Sequence, residues 1–173
     1  MINKDNFNIV LEKLGFTKTK EVYSKKYNNG AVLKADFKNK KLIYPKEIKK
    51  GSETTTNFSQ NENFVVFECV NNLLQKEYKP DNIELEQVYG KIKKEDGGGR
   101  ADVVVKDNEN QVLLIIECKT FGHEFNIHWQ KTLHDGDQLF RYLTNKRETQ
   151  FLSLYSSGLV DDKVVQKYHL ISL

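Results

Sequence analysis

The sequence predicts an α/β fold in which a mixed sheet of four or five strands, flanked by helices, occupies the chain from residue 59 onward. Three observations predict it. A helical signal over 59–79 precedes two aliphatic, β-branched runs at 101–105 and 112–117, separated by a polar turn at 107–110. A further helix is expected at 137–145, and closing strands at 151–155 and 164–173. Ahead of all this, residues 1–45 carry a helix and a small antiparallel meander.

Taken in order, Phe7, Val10, Leu11 and Leu14 recur at i, i+3, i+4 and i+7, one apolar face of a helix, and Gly15 is placed to end it. Residues 21–27 and 31–37 flank Asn28-Asn29-Gly30, a strong hairpin signal. Ala31, Leu33, Ala35 and Phe37 alternate with Val32, Lys34 and Asp36, the pattern of a half-buried strand. A polar turn near Asn39 leads to another strand at 41–44. The pattern lapses over 46–58, through Lys49-Lys50-Gly51-Ser52 and Thr54-Thr55-Thr56. This reads as a connector between two units, an N-terminal one at 1–50 and a core at 59–173. Ser59-Gln60-Asn61-Glu62 matches a capping box, with Ser59 as N-cap. The helix it opens carries Val66, Phe67, Val70, Leu73 and Leu74 and fails at Lys79-Pro80. Residues 83–89 alternate apolar and acidic as a strand does, and Gly97-Gly98-Gly99 is a turn.

Hydrophobic residues make up 38% of the 173 and charged residues 29%, a globular balance with no apolar run approaching the ~20 residues of a membrane span. No signal-peptide stretch follows Met1, and Cys69 and Cys118 lie in apolar runs, so buried free thiols and a cytoplasmic location are expected. Net charge is +3, unevenly spread. Residues 1–60 hold 13 lysines and no arginine against 6 acids, a balance of +7, whereas 61–173 balance at −4. That basic third either follows a phosphate backbone or is a solvated surface. There is no Gly-x-x-x-x-Gly-Lys-[Ser/Thr] loop, which excludes ATP hydrolysis by that route. The two prolines, Pro45 and Pro80, exclude an Asn-Pro-Pro-Tyr methyltransferase motif.

The residues that carry chemistry are Asp102, Glu117 and Lys119. Asp102 opens one strand beside Arg100, and Glu117 and Lys119, two apart, share a face at the end of the next. If the strands pair as a hairpin, Asp102 comes alongside Glu117. Two such carboxylates repel unless a cation separates them. Oxygen ligands completed by water suit Mg²⁺, with Mn²⁺ able to substitute. A lysine beside that ion can orient or help deprotonate an attacking water. Gln138 and Tyr142, at i and i+4 on the following helix, can reach the same phosphate. His123, His128 and His134 fall in a predicted loop at spacings that do not match one helical face and without a cysteine pair, so they read as loop residues rather than zinc ligands. Trp129 reads as a packing anchor.

Asp102, Glu117-x-Lys119 and Gln138-x-x-x-Tyr142, in this order of strands and helix, resemble the PD-(D/E)xK nuclease superfamily. The segments Phe64-Val65-Val66-Phe67-Glu68-Cys69-Val70, Gly98-Gly99-Arg100-Ala101-Asp102 and Ile115-Ile116-Glu117-Cys118-Lys119-Thr120 are similar to the N-terminal nuclease domain of type I restriction enzymes and related restriction–modification proteins. The likeness covers roughly residues 59–155. It implies a restriction-endonuclease-like core, Asp102 and Glu117 as metal ligands, Lys119 in the hydrolytic step, and Arg100, Gln138 and Tyr142 toward DNA. It also nominates Glu68 as the helix glutamate that reaches the metal through water. Glu68 lies opposite the apolar stripe centred near Val70, so it either faces the cleft or is solvated. The superfamily's proline before the aspartate is Ala101 here.

The expected activity is Mg²⁺-dependent cleavage of duplex DNA. The expected partners are the methyltransferase, specificity or motor domains or subunits of a restriction–modification system, with a dimer on DNA as one route to cutting both strands, and no membrane. The alternatives are a silent DNA-binding or assembly module on the same fold, or a superfamily nuclease acting in DNA repair.

Overall fold

The computed structural model describes residues 1–88, 100–135 and 149–173. They form a mixed α/β structure with two sheets and, among the described residues, three α-helices. No helix among them is long and apolar enough to cross a membrane.

The first helix, α1 (Phe7–Lys13), buries Phe7, Val10 and Leu11 and gives way at Gly15, whose φ of +81° is one that L side chains rarely adopt. Four short strands follow: β1 (Thr17–Thr19), β2 (Val22–Lys26), β3 (Val32–Asp36) and β4 (Lys41–Ile43). They form an antiparallel sheet in sequence order. The Asn28-Asn29-Gly30 turn closes with Gly30 at φ +85° and the Tyr27 N–H donating to the Ala31 carbonyl at 2.9 Å. Tyr23, Leu33, Ala35 and Leu42 point inward, so the alternation expected for this meander holds.

The connector behaves differently from its sequence pattern. Its residues Lys49–Lys50 form β5, which pairs in parallel with β6 (Ile83–Val88) and extends the second sheet. Gly51 makes this possible. Its N–H donates to the Leu85 carbonyl at 2.8 Å, and a Cβ there would lie 2.2 Å from the Glu86 carbonyl oxygen. Polar composition hid the strand because it is a two-residue edge whose side chains are both exposed.

The capping box also does not form. Helix α2 (Asn61–Gln75) has Gln60 at its N-cap with no side-chain cap bond; the Ser59 N–H donates instead to Asn57 Oδ1 at 2.8 Å. Every residue from Asn63 to Asn71 is buried, so α2 has no solvated face there. It is gripped by the N-terminal unit on one side. Phe7 lies 4.5 Å from Phe64 between ring centroids, and Tyr27 Oη donates to Asn71 Oδ1 at 2.8 Å. Such aromatic pairs add ~0.5–1.5 kcal/mol beyond the area they bury.

Among the described residues the second sheet has six strands, where four or five were expected. After β6 come β7 (Arg100–Lys106), β8 (Val112–Cys118), α3 (His123–Asp135), β9 (Phe151–Val160) and β10 (Lys163–Ser172), in the spatial order β10-β9-β8-β7-β6-β5. β8 and β9 are parallel, as are β5 and β6; the other pairs are antiparallel. β9 runs five residues longer than the sequence suggested, and β10 starts one residue earlier, because Asp161 and Asp162, both at positive φ, close a two-residue hairpin between Val160 and Lys163. The predicted loop around the histidines is in fact the helix α3. The helix expected at 137–145 lies outside the described residues.

Period-2 burial makes three layers. Val103, Val105, Ile116 and Cys118 face α2 and the N-terminal unit in one continuous cluster. Val104, Ile115, Leu152 and Leu154 pack with Phe125 of α3 on the other face. Cys69 and Cys118 are both buried and free, and burial beside Cys69 pushes the Cys118 thiol well above its usual range. Trp129 stacks on His169 with ring centroids 3.9 Å apart, the anchor its sequence position suggested.

Candidate functional site

The β7–β8 ladder ends at Val103 opposite Ile116. One step further the strands present Asp102 and Glu117 to each other. The ladder stops there because Asp102 takes over the next amide: its Oδ2 accepts the Cys118 N–H at 2.7 Å. Lys119 follows immediately, its own N–H donating to the Tyr155 carbonyl at 2.9 Å, so β9 fixes the backbone that carries the lysine. Lys119 Nζ donates to Glu117 Oε1 at 2.7 Å. All three side chains are buried, with residue exposures of 8% for Asp102, 2% for Glu117 and 6% for Lys119.

Charges held this far from water alter one another. Burial, and then the Glu117 carboxylate, push the Asp102 carboxyl well above the usual aspartate range. For Lys119, burial works against the charged form, but the carboxylates of Glu117, Asp102 and Glu62 outweigh it and hold the ammonium above its ordinary pKa. The lysine is therefore a fixed cation, while Asp102 carries strain that a second positive charge relieves.

Two acidic residues join this group that the sequence did not nominate. Glu62, in the first turn of α2, lies 3.5 Å from Lys119 Nζ. Burial raises its carboxyl; Lys119 opposes the rise and Glu117 and Glu124 add to it. The capping-box pattern concealed Glu62 by offering it a local partner. Glu86 stands opposite Asp102 on the β6 side, between the pairs Leu85–Val103 and Gln87–Ala101, with a φ of +53° that interrupts the ladder. Its carboxyl is raised by burial, with Glu117 among the contributors. No periodicity signals a strand residue with left-handed backbone.

Glu68 is brought elsewhere. It is neither in the cleft nor solvated: it is fully buried, accepting from Tyr155 Oη at 2.5 Å and Gln166 Nε2 at 2.6 Å. Six residues turn an α-helix through about 240°, so Glu62 and Glu68 cannot share a face. Arg100 is half exposed, with Nε 3.8 Å from Glu86 Oε2. Gln138 and Tyr142 lie outside the described residues.

Among the described residues no three His, Cys, Asp or Glu side chains are grouped closely enough to cage a metal ion by themselves. The donors that fit one are the hard oxygens of Asp102 and Glu117, with water completing the shell, the arrangement in which Mg²⁺ is commonly held by one or two carboxylates. No protein-family model matches the chain, and no curated protein matches it.

Proposed function

We propose that this chain is a Mg²⁺-dependent endonuclease acting on duplex DNA, the cleavage domain of a type I-like restriction–modification system on a PD-(D/E)xK core. One observation carries the reading. Asp102 and Glu117 face each other where the β7–β8 ladder ends, with the Lys119 ammonium 2.7 Å from Glu117. Clustered buried carboxylates cost stability in a merely structural sheet, and a cation between them removes that cost. The partners in this reading are DNA and the methyltransferase, specificity or motor components of the system.

Asp102 and Glu117 would hold the ion, which supplies positive charge against the charge developing on the scissile phosphate. Lys119, held protonated, acts as a donor: it orients the attacking water or a phosphate oxygen rather than removing a proton. The Asp102–Cys118 bond and the Lys119–Tyr155 bond keep the two strand ends in register, and Glu62 anchors the ammonium from α2. Removing a partner that orients such a group typically costs 10–100-fold in metal affinity or activity.

The test is nicking of supercoiled plasmid by this chain with Mg²⁺ or Mn²⁺, beside Lys119→Ala. Metal-dependent nicking that vanishes in the variant supports the reading. If Asp102→Ala and Lys119→Ala leave cleavage intact in the assembled restriction enzyme, the reading is wrong.

A further inference from the structure

Away from the carboxylate cluster, a cavity of about 650 Å³ opens where residues 3–6, 36–41 and 57–59 meet, lined by Lys4, Asp5, Phe37, Lys40, Phe58 and Ser59. Its size is that of a small-ligand site. Phe37 and Phe58 are half-buried and meet at 89° with centroids 5.1 Å apart, so they form a right-angled aromatic corner. A planar ring stacked on one sets its own edge against the face of the other, the two favoured aromatic geometries at once. Neither ring is free to swing. Phe37 packs on Tyr23 at 5.2 Å, and Phe58 on Phe64 at 5.2 Å.

The rim is prepared as well. Asn3 Oδ1 accepts the Asp5 and Asn6 amides at 2.9 and 3.2 Å, which fixes the segment bearing Lys4. The Asp36 carboxylate accepts from the Asn39 N–H and Nδ2 at 2.9 and 2.8 Å, which holds the turn bearing Lys40. A bridge between Lys41 and Asn57 joins that turn to the third segment. With the flanking Lys38 and Lys41, the exposed ammonium groups of Lys4 and Lys40 outnumber the carboxylates of Asp5 and Asp36, so the mouth is positive.

Apolar ring faces beneath a cationic rim match a nucleobase with its phosphate. We propose that this cavity holds one unstacked nucleotide of a DNA strand, its base in the Phe37–Phe58 corner and its flanking phosphates at Lys4 and Lys40. A strand is favoured over a free nucleotide on two grounds. The charged groups at the mouth are all exposed, which suits a backbone passing through, and exposed Lys38 and Lys41 continue the positive charge along the β3–β4 turn. Ser59, in the cavity wall, lies three residues before Glu62 in the chain, in the bend that leads into α2. Such a site needs neither metal nor Lys119; taking the strand as DNA rests on the nuclease reading, and binding in EDTA tests the site apart from it.

The experiment titrates the full chain, in EDTA, into a single-stranded oligonucleotide carrying 2-aminopurine, and follows the fluorescence. Stacking quenches the probe. Lys4→Glu/Lys40→Glu is expected to weaken binding about tenfold or more, and Phe37→Leu, which keeps an apolar filler without a π face, to abolish most of the quench. Thermal melts check that both variants are folded. Lys26→Glu/Lys46→Glu makes the same charge change at exposed positions outside the cavity and is expected to cost much less. Equal losses in the two double variants, an unchanged quench in folded Phe37→Leu, no binding by the native chain, or tighter binding of free AMP or ATP than of the strand would each overturn the proposal.

Discussion

The Asp102 carboxylate accepts the backbone N–H of Cys118, at 2.7 Å, in the place where the next rung of the β7–β8 ladder would fall. A side chain thereby does the work of a main-chain acceptor, and it does so between the two residues, Glu117 and Lys119, that define the cluster. Asp102 is at once a structural pin and a carboxyl under electrostatic stress from burial and from Glu117.

That stress has a sign. The folded pKa of Asp102 lies above the 3.8 of an unperturbed aspartate. Its contribution to stability is therefore complete below about that pH and is lost as pH rises through the folded value. In EDTA at pH 8, Asp102→Asn, which keeps an oxygen for the Cys118 amide, is expected to melt at least about 2 °C above the native chain. Mg²⁺ or Mn²⁺ is expected to raise the native Tm at pH 8, to do less at pH 5, and to leave the variant unmoved. A variant no more stable than the native chain in EDTA would contradict the assignment.

Lys119→Met removes the ammonium that lies 2.7 Å from Glu117 and leaves that carboxylate buried. Breaking such a pair costs about 3–5 kcal/mol. Denaturant unfolding in EDTA should report a loss of that size, partly recovered when a divalent ion is added. The same variant should not nick plasmid.

Glu62 and Glu68 separate by experiment. Glu62→Gln loosens the hold on Lys119 and is expected to lower metal-dependent nicking about tenfold or more with little change in Tm. Glu68→Gln disturbs the bonds from Tyr155 and Gln166 and is expected to lower Tm, leaving the metal dependence of nicking as it was. Reversed outcomes would restore Glu68 to the site.

Gly51→Ala places a Cβ against the Glu86 carbonyl, a backbone atom that cannot swing aside. Detachment of β5 from β6 is expected, with a loss of about 1–3 kcal/mol in denaturant unfolding. Faster hydrogen exchange at the Gly51 amide, which donates to Leu85, would locate the damage.

Trp129 gives the chain a reporter. His169 stacks on it, and burial, with Lys167 adding, lowers the imidazole pKa below 6.5. Protonation should quench the single tryptophan as pH falls, with a midpoint under 6.5, and His169→Gln should flatten that titration.

Much of this was written locally in the chain. The Phe7-to-Leu14 stripe, the Asn28-Asn29-Gly30 turn and the alternating runs of β3, β7 and β8 fold as their periods dictate, because each buries its apolar face by local geometry alone. The opposition of Asp102 and Glu117 was legible for the same reason: a hairpin of known strands fixes which residues face each other. β5, α3 and the length of β9 were not, since an exposed two-residue edge and a polar helix carry weak periodic signals. Only the tertiary structure decided which helix glutamate meets Lys119. The capping pattern gave Glu62 a local partner and the apolar stripe left Glu68 unassigned. Packing α2 between two sheets buried it all round, turned Glu62 to the end of β8, and carried Glu68 to Tyr155 and Gln166. Contacts such as these depend on how α2 is rotated against its neighbours, and that rotation is set by the summed packing of residues far apart in sequence.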